Sequence, residues 1–391
     1  MKNKYLACTI LLAAVTFSCG KDDGQIPAPK DDTTPKEEEK EKLPVISTED
    51  IDYDLSVLEQ GVSKDIVFTS GTTLRNNAVM QSFAFRGDGY MYAVQLAATG
   101  TKRRLNLAFK GVNSNSDKRY MQLEYFGHGS NIDLEKASDG DYIWVGSYGT
   151  QTKIENDEGY YTNNQTVARV KFQENALVRP EDLDEHWYIP GLKNVHPSLD
   201  SARDEIAFWG LSADSKYGYF YVYSLSEALA VPKTTETLAL EIKRGGNYED
   251  FETISQKMTA TVHNLSKITP KAVVTLPSNG PVGTGGNQGF LLHSGRIYHY
   301  NGAGNNNDGA AACVSTVTVF DFSGNVTAKK QVMAAADVSG LNSLGITDTG
   351  FMESEGIKIY DDALYLGYAT RKSTDSKRYV TIFKYPLNRI K

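Results

Sequence analysis

Gln81-Ser82-Phe83-Ala84-Phe85-Arg86-Gly87-Asp88-Gly89-Tyr90-Met91-Tyr92-Ala93-Val94 is the stretch whose reading decides the fold. A short apolar run meets a Gly-Asp-Gly turn, and an aromatic run returns from it. Tight turns favour glycine and aspartate, and half-buried pleated strands favour aromatic residues. The stretch therefore reads as a hairpin. The pattern comes back twice. Gln288-Gly289-Phe290 leads through a turn at Ser294-Gly295 to Ile297-Tyr298-His299-Tyr300. Glu355-Gly356-Ile357 leads through Asp361-Asp362 to Leu364-Tyr365-Leu366-Gly367. The common form is an amide or acid, a small residue, an apolar strand, a turn and a tyrosine-bearing strand. His128-Gly129-Ser130-Asn131-Ile132 up to Tyr142-Ile143-Trp144 reads as a longer relative, and His196-Pro197 up to Tyr219-Phe220-Tyr221 as another. Repeats of this length, five in all, suit the blades of a β-propeller. Inner strands crowd around the axis of such a ring, which explains the small residue. The polar residue before it then faces the channel mouth.

The rest of the chain agrees with an all-β protein. Val167 to Phe172 alternates apolar and polar residues, Val317 to Phe322 reads as a strand ending at Ser323-Gly324, and Val380 to Tyr385 as the strand that closes the chain. The 34 Gly and 23 Tyr fit many tight turns between strands. Ser226 to Ala230 and Tyr248 to Met258 are the best short helix candidates. The segment Ser226 to Asn279 reads either as an insertion in a five-bladed ring or as a sixth blade.

The chain has 391 residues, a hydrophobic fraction of 40% and a net charge of −7, enough for one large globular domain and without a basic cluster to track a phosphate backbone. Nucleic acid is not an expected partner. Lys2 and Lys4 precede a short apolar run, Leu6 to Phe17, too short for a span of roughly 20 apolar residues. It has the layout of a secretory signal. Ser18-Cys19 resembles the lipobox exit of Bacteroidota lipoproteins, and Gly20-Lys21-Asp22-Asp23-Gly24 resembles their acidic surface-export signal. Residues 1–18 are then the signal, and Cys19 is the lipid-bearing residue. Residues 19–44, with four prolines and the charge run Lys36 to Lys42, form a disordered acidic tether. Residues 45–391 form the propeller. The expected location is the outer membrane, lipid-anchored and facing the cell exterior. Cys313, left without a partner in this reading, is a small buried hydrophobe or a reactive thiol.

Tyr120-Met121-Gln122-Leu123, Phe126-Gly127-His128-Gly129-Ser130-Asn131-Ile132, Glu135 and Tyr142-Ile143-Trp144 resemble one unit of the propeller shared by helveticin-type bacteriocins, teichoic-acid-biosynthesis-C-like proteins and some phage receptor-binding proteins. Gln81-Ser82-Phe83 and Gln288-Gly289-Phe290 fit its other blades, and Val167 to Phe172 looks like the strand after its Trp unit. The resemblance implies a five-bladed propeller and recognition of cell-surface glycans rather than a defined reaction.

Candidate chemistry is sparse. None of the six histidines pairs at zinc-motif spacing, and no Cys-x-x-Cys or Gly-x-Ser-x-Gly is present. His128, between two glycines, is either a ligand contact or a backbone-bonded strut. Glu353 and Glu355 share a strand face, and Glu135 is a third candidate inward acid. Such carboxylates serve as acid and base in glycoside hydrolysis, bind calcium, or simply cap the channel. His186-Trp187-Tyr188, Trp209 and Tyr160-Tyr161 are aromatic groups of the kind that stack on sugars, or ordinary blade packing. Asn301 to Gly309 reads as a surface loop.

The expectation is therefore non-catalytic binding of a carbohydrate or cell-surface polymer. Its contacts would be Gln81, His128, Asn131, Glu135, Gln288 and Glu355 at the channel mouth, with Tyr160, Tyr161 and Trp187 on surrounding loops. No cofactor is required, calcium being the ion that such acids would take. Two other readings stay open. One is a glycan-active hydrolase or lyase using Glu135, Glu353 or Glu355. The other is a protein-interaction scaffold.

Overall fold

Alternation in this chain serves two apolar surfaces at once. In the strand Arg296–Gly302, Ile297 packs with Trp209, Phe220 and Phe320 on one side, while Tyr298 and Tyr300 pack with Leu364, Leu366 and Phe383 on the other. A sheet with both faces buried must be sandwiched between two others, and a closed ring of sheets provides that for every member. The computed structural model describes residues 63–69, 74–76, 78–97, 104–112, 118–149, 151–152, 163–244, 252–277, 286–302, 315–332, 352–371 and 378–389. They form a five-bladed β-propeller. The signal, Cys19, the acidic tether, Tyr160, Tyr161, Cys313 and residues 303–309 lie outside the described residues.

Blade one contains Met80–Phe85, Tyr90–Leu96, Arg104–Gly111 and Lys118–Glu124, with Leu177–Val178 added at its edge. Blade two contains Ile132–Ala137, Gly140–Ser147, Thr166–Lys171 and His186–Tyr188. Blade three contains Leu192–Asp200, Glu205–Ser212, Tyr217–Ser224 and Ala272–Pro277. Blade four contains Asn287–His293, Arg296–Gly302, Ser315–Asp321 and Val326–Val332. Blade five contains Met352–Tyr360, Ala363–Arg371 and Arg378–Pro386, and its outer strand is Ser63–Thr69 from the other end of the chain. The first strand of each blade touches the first strands of both neighbours, so these five inner strands close a ring. Hydrophobic clusters fill the interfaces between successive blades, giving radial cores rather than one central core.

The segment from Ser226 to Asn279 is neither a sixth blade nor mainly helical. Leu225–Ala230 is a short α-helix, as expected, capped by the Ser224 hydroxyl accepting from the Glu227 amide. The second helix candidate is overturned, because Glu252–Asn264 is a long strand. Its Thr253, Ile254, Thr259, Thr261 and Val262 are β-branched and suit a pleated sheet. It pairs with Lys233–Arg244 as a hairpin that leaves blade three. That hairpin joins the edge of blade two alongside Trp187 and Tyr188, making a seven-stranded sheet with Gln151–Thr152 at its far edge.

Candidate functional site

Four of the five inner strands slip register near their start, each through a β-bulge. The unpaired residues are Gln81 in blade one, Asn194-Val195 in blade three, Gln288 in blade four and Glu355-Gly356 in blade five. The repeated amide-or-acid motif is thus a bulge motif. The small residue beside it sits where backbones nearly touch. A Cβ on Gly356, at φ +80°, would lie 3.1 Å from the Ser82 Cα. One on Gly289, at φ +134°, would lie 3.2 Å from Asn131 Oδ1 and 3.6 Å from the Gly356 Cα. Ser82, Asn131, Gly289 and Gly356 therefore meet at one level of the ring, and the bulged side chains flank that level.

Asn131 joins three blades there. Its amide donates to the Pro197 carbonyl at 2.6 Å, and its Oδ1 accepts from the Phe290 amide at 3.5 Å. The Ser82 hydroxyl donates to the Gly129 carbonyl at 2.6 Å, joining blade one to the turn before blade two. Farther along the inner strands, Asp133 accepts from the Ser198 hydroxyl at 3.0 Å and the Leu199 amide at 2.9 Å, and lies 3.3 Å from Lys358 Nζ. The Ser198 hydroxyl in turn accepts from the Leu292 amide at 3.0 Å. This second belt ties blades two, three, four and five together.

Charge at the bulges is held down by burial. Glu355 is 6% exposed, and desolvation raises its carboxyl well above the ordinary range, with the negative charge of Glu353 adding to the effect. Burial also raises Glu353, against the opposing pull of Arg378. The two carboxyls expected to share a face do sense one another. Gln81 is 5% exposed, and Gln288, which is more open, donates to the Gly302 carbonyl at 3.4 Å. Burial lowers His128 to about 4 and His196 to about 3, the latter also feeling His128, so both imidazoles are neutral at ordinary pH. Neither ring nitrogen of the buried His196 has a hydrogen-bond partner. Asn194 has no counterpart in the sequence-level repeat. Its signal was an asparagine able to hold φ +55°, a conformation that asparagine adopts more readily than most residues.

Two expected site residues stand apart from the mouth. The Glu135 carboxylate accepts from Arg169 Nε and Nη2, both at 2.8 Å, and from Trp144 Nε1 at 2.8 Å. Burial opposes its charge, but these hydrogen bonds outweigh it and hold the group below the ordinary carboxylate range. It is the anion of a structural ion pair rather than an acid waiting for a substrate. The reading of Trp187 as a solvent-facing aromatic is corrected. It is 1% exposed, donates to the Ala228 carbonyl at 2.9 Å, and packs between Trp144 and His263. The hairpin from blade three covers it. Trp209 is buried in the same way, against Phe220 and His299. Tyr160 and Tyr161 lie outside the described residues.

One Ser–His pair was not anticipated. Ser147 Oγ lies 3.0 Å from His186 Nδ1, and His186 Nε2 lies 2.9 Å from the Pro180 carbonyl oxygen. Both residues are fully buried in blade two, so no substrate reaches the hydroxyl. Among the described residues no group of three or more His, Cys, Asp or Glu is arranged to hold a metal ion.

No protein-family model matches the chain. No curated protein is significantly similar to it. Among solved structures, the chain is similar to a polysaccharide lyase, Uly1, at 8% identity and a TM-score of 0.32 over 79% of this chain and 90% of that one. It is also similar to a protein provisionally described as a glycosidase, from Bacteroides thetaiotaomicron VPI-5482. That match has 11% identity and a TM-score of 0.35 over 83% of this chain and 93% of that one. Likenesses this remote bear on neither substrate nor reaction, and the five-bladed ring rests on the chain's own sheets.

Proposed function

We propose that this protein is a lipid-anchored outer-membrane protein, facing the cell exterior, whose propeller binds a carbohydrate or cell-surface polymer at the mouth of its axis without transforming it. The observation that carries this reading is the set of bulges that places Gln81, Gln288 and Glu355 at equivalent positions on adjacent blades. Amides and a carboxyl grouped at one level of a ring suit a ligand rich in hydroxyls. The surface address rests on the signal-like start, Cys19 and the acidic tether. The resemblance to helveticin-type and phage receptor-binding propellers points the same way.

A hydrolase or lyase is the second reading, favoured by the Glu353–Glu355 pair. Two desolvated carboxyls, one of them raised further by the charge of the other, are the usual setting for an acid kept protonated. Glu135 does not join them, because its ion pair with Arg169 occupies it.

Screening the purified protein on a glycan array, with and without calcium, separates the readings. Specific binding with the glycan recovered intact is the expected outcome. Release of shortened or unsaturated products, abolished in Glu353→Gln and Glu355→Gln, would replace binding with catalysis. Silence across the array would remove the glycan reading and leave the interaction scaffold.

A further inference from the structure

We propose that Gln81, Gln288 and Glu355 form a single subsite for an uncharged sugar residue, in which the Glu355 carboxyl serves as a neutral hydrogen-bond donor. The inference rests on the glycan-binding reading and specifies the chemistry of the ligand.

The argument begins with positional equivalence. Each of the three residues is the bulged, ladder-free residue of an inner strand, and each precedes a small residue at the crowded level of the axis. Blades four, five and one are consecutive, so the three form one arc. Two positions carry glutamine. A protonated glutamate has nearly the same shape as glutamine and, like it, offers one donor edge and one acceptor edge. The arc then presents three amide-like groups in a row, and a hydroxyl both donates and accepts. Gln81 and Glu355 are buried, keeping only 5% and 6% of their surface, and Gln288 is the more open of the three.

The surroundings keep the Glu355 carboxyl neutral. Blade one brings Ser82 and Phe83 against this strand, blade four brings Gly289 and Gly302, and the paired strand of its own blade brings Gly367 and Tyr368. None of these carries charge. The charged groups nearby are Glu353 on the same strand, which disfavours a second anion, and Arg378, which acts on Glu353. Lys358, farther along, is taken by Asp133. Among the described residues no hydrogen bond or ion pair holds the Glu355 carboxyl, so its donor edge is unclaimed. A uronic acid or phosphate in this arc would meet desolvated carboxyls, while among the described residues the nearby cations Arg378 and Lys358 act on Glu353 and Asp133, which selects for neutral sugars.

The test is calorimetric titration of the full chain with neutral manno-, galacto- and gluco-oligosaccharides and with oligogalacturonates. A neutral oligosaccharide is expected to bind, and the oligogalacturonates are not. Glu355→Gln should keep the affinity at pH 7, whereas Glu355→Ala should lose about tenfold, the worth of a good hydrogen bond. Wild-type affinity should fall as pH rises through the Glu355 titration, and Glu355→Gln should lack that fall. Independently of ligand, infrared difference spectra should show a protonated-carboxyl band at pH 7 that Glu355→Gln removes. Preference for the oligogalacturonates, a Glu355→Gln variant as weak as Glu355→Ala, or absence of the band would overturn the subsite and leave glycan binding standing. Failure of the wild type to bind any oligosaccharide would instead overturn the glycan reading, and the subsite with it.

Discussion

Glu135 and Glu355 show how one residue type acquires opposite characters in a single ring. Glu135 meets Arg169 and Trp144, which favour its charged form, whereas Glu355 meets glycine backbone and another acid, and burial first and the Glu353 charge second disfavour its charged form. The stability consequences have opposite signs. Glu135 is lowered, so its contribution is present above the ordinary carboxylate range and is lost as pH falls through its folded value. Glu135→Ala should destabilise the protein at pH 7 by about 2 kcal/mol, because it leaves the half-buried Arg169 guanidinium with Glu185 alone of its two carboxylate partners, and by less near pH 3. Glu355 is raised, so its contribution is fully present below the ordinary carboxylate value and is lost as pH rises through the folded one. Denaturant titrations at the two pH values check both signs. Neither character was legible in the chain: both glutamates read simply as inward acids, because the partner that decides, Arg169, lies 34 positions away in sequence.

At the scale of the element, the repeat was readable because each unit carries its own turn and its own crowded residue. The small residue after the polar one was expected from axial crowding, and Gly289 and Gly356 bear this out through both space and backbone angle. Gly356→Ala should cost about 2–4 kcal/mol, combining a left-handed backbone with a Cβ against Ser82. An alanine at Gly89, which is also left-handed but has open space around it, should cost only the backbone part. Thermal melts of the two variants separate the terms. What the sequence could not reveal was long-range covering. Trp187 sits in a short aromatic triplet that resembles a binding loop, and only the hairpin sent across from blade three makes it interior. The bulge in blade three was missed for a different reason. Its polar residue is Asn194, two positions before His196-Pro197 and followed by Val195, so it lacks the small residue that marks the other units. The five-bladed count followed from local repeats, whereas the fate of Ser226 to Asn279 depended on which neighbour had a free edge.

For the whole molecule, several histidines enter the interior uncharged. His128, His186, His196 and His299 are lowered to between about 3 and 4, in each case chiefly by burial. They bind protons in the unfolded chain near pH 5 and not in the folded one, so stability rises with pH between those folded values and the ordinary imidazole range. Unfolding at pH 5 should take up about four protons through these groups, read from the slope of unfolding free energy against pH. A slope near zero would mean that these imidazoles are charged in the folded ring. The outer strand of blade five carries a different consequence. Residues Ser63 to Thr69 pair with Lys384 to Tyr379, so the first described strand is also the clasp of the ring. If the chain is anchored at Cys19 and the ring holds a ligand, a tug between the two enters the described part of the fold at that clasp. The hydrogen bonds of one antiparallel pair then act as a mechanical fuse, and the load at which they slip sets how hard the cell can pull on whatever the propeller holds.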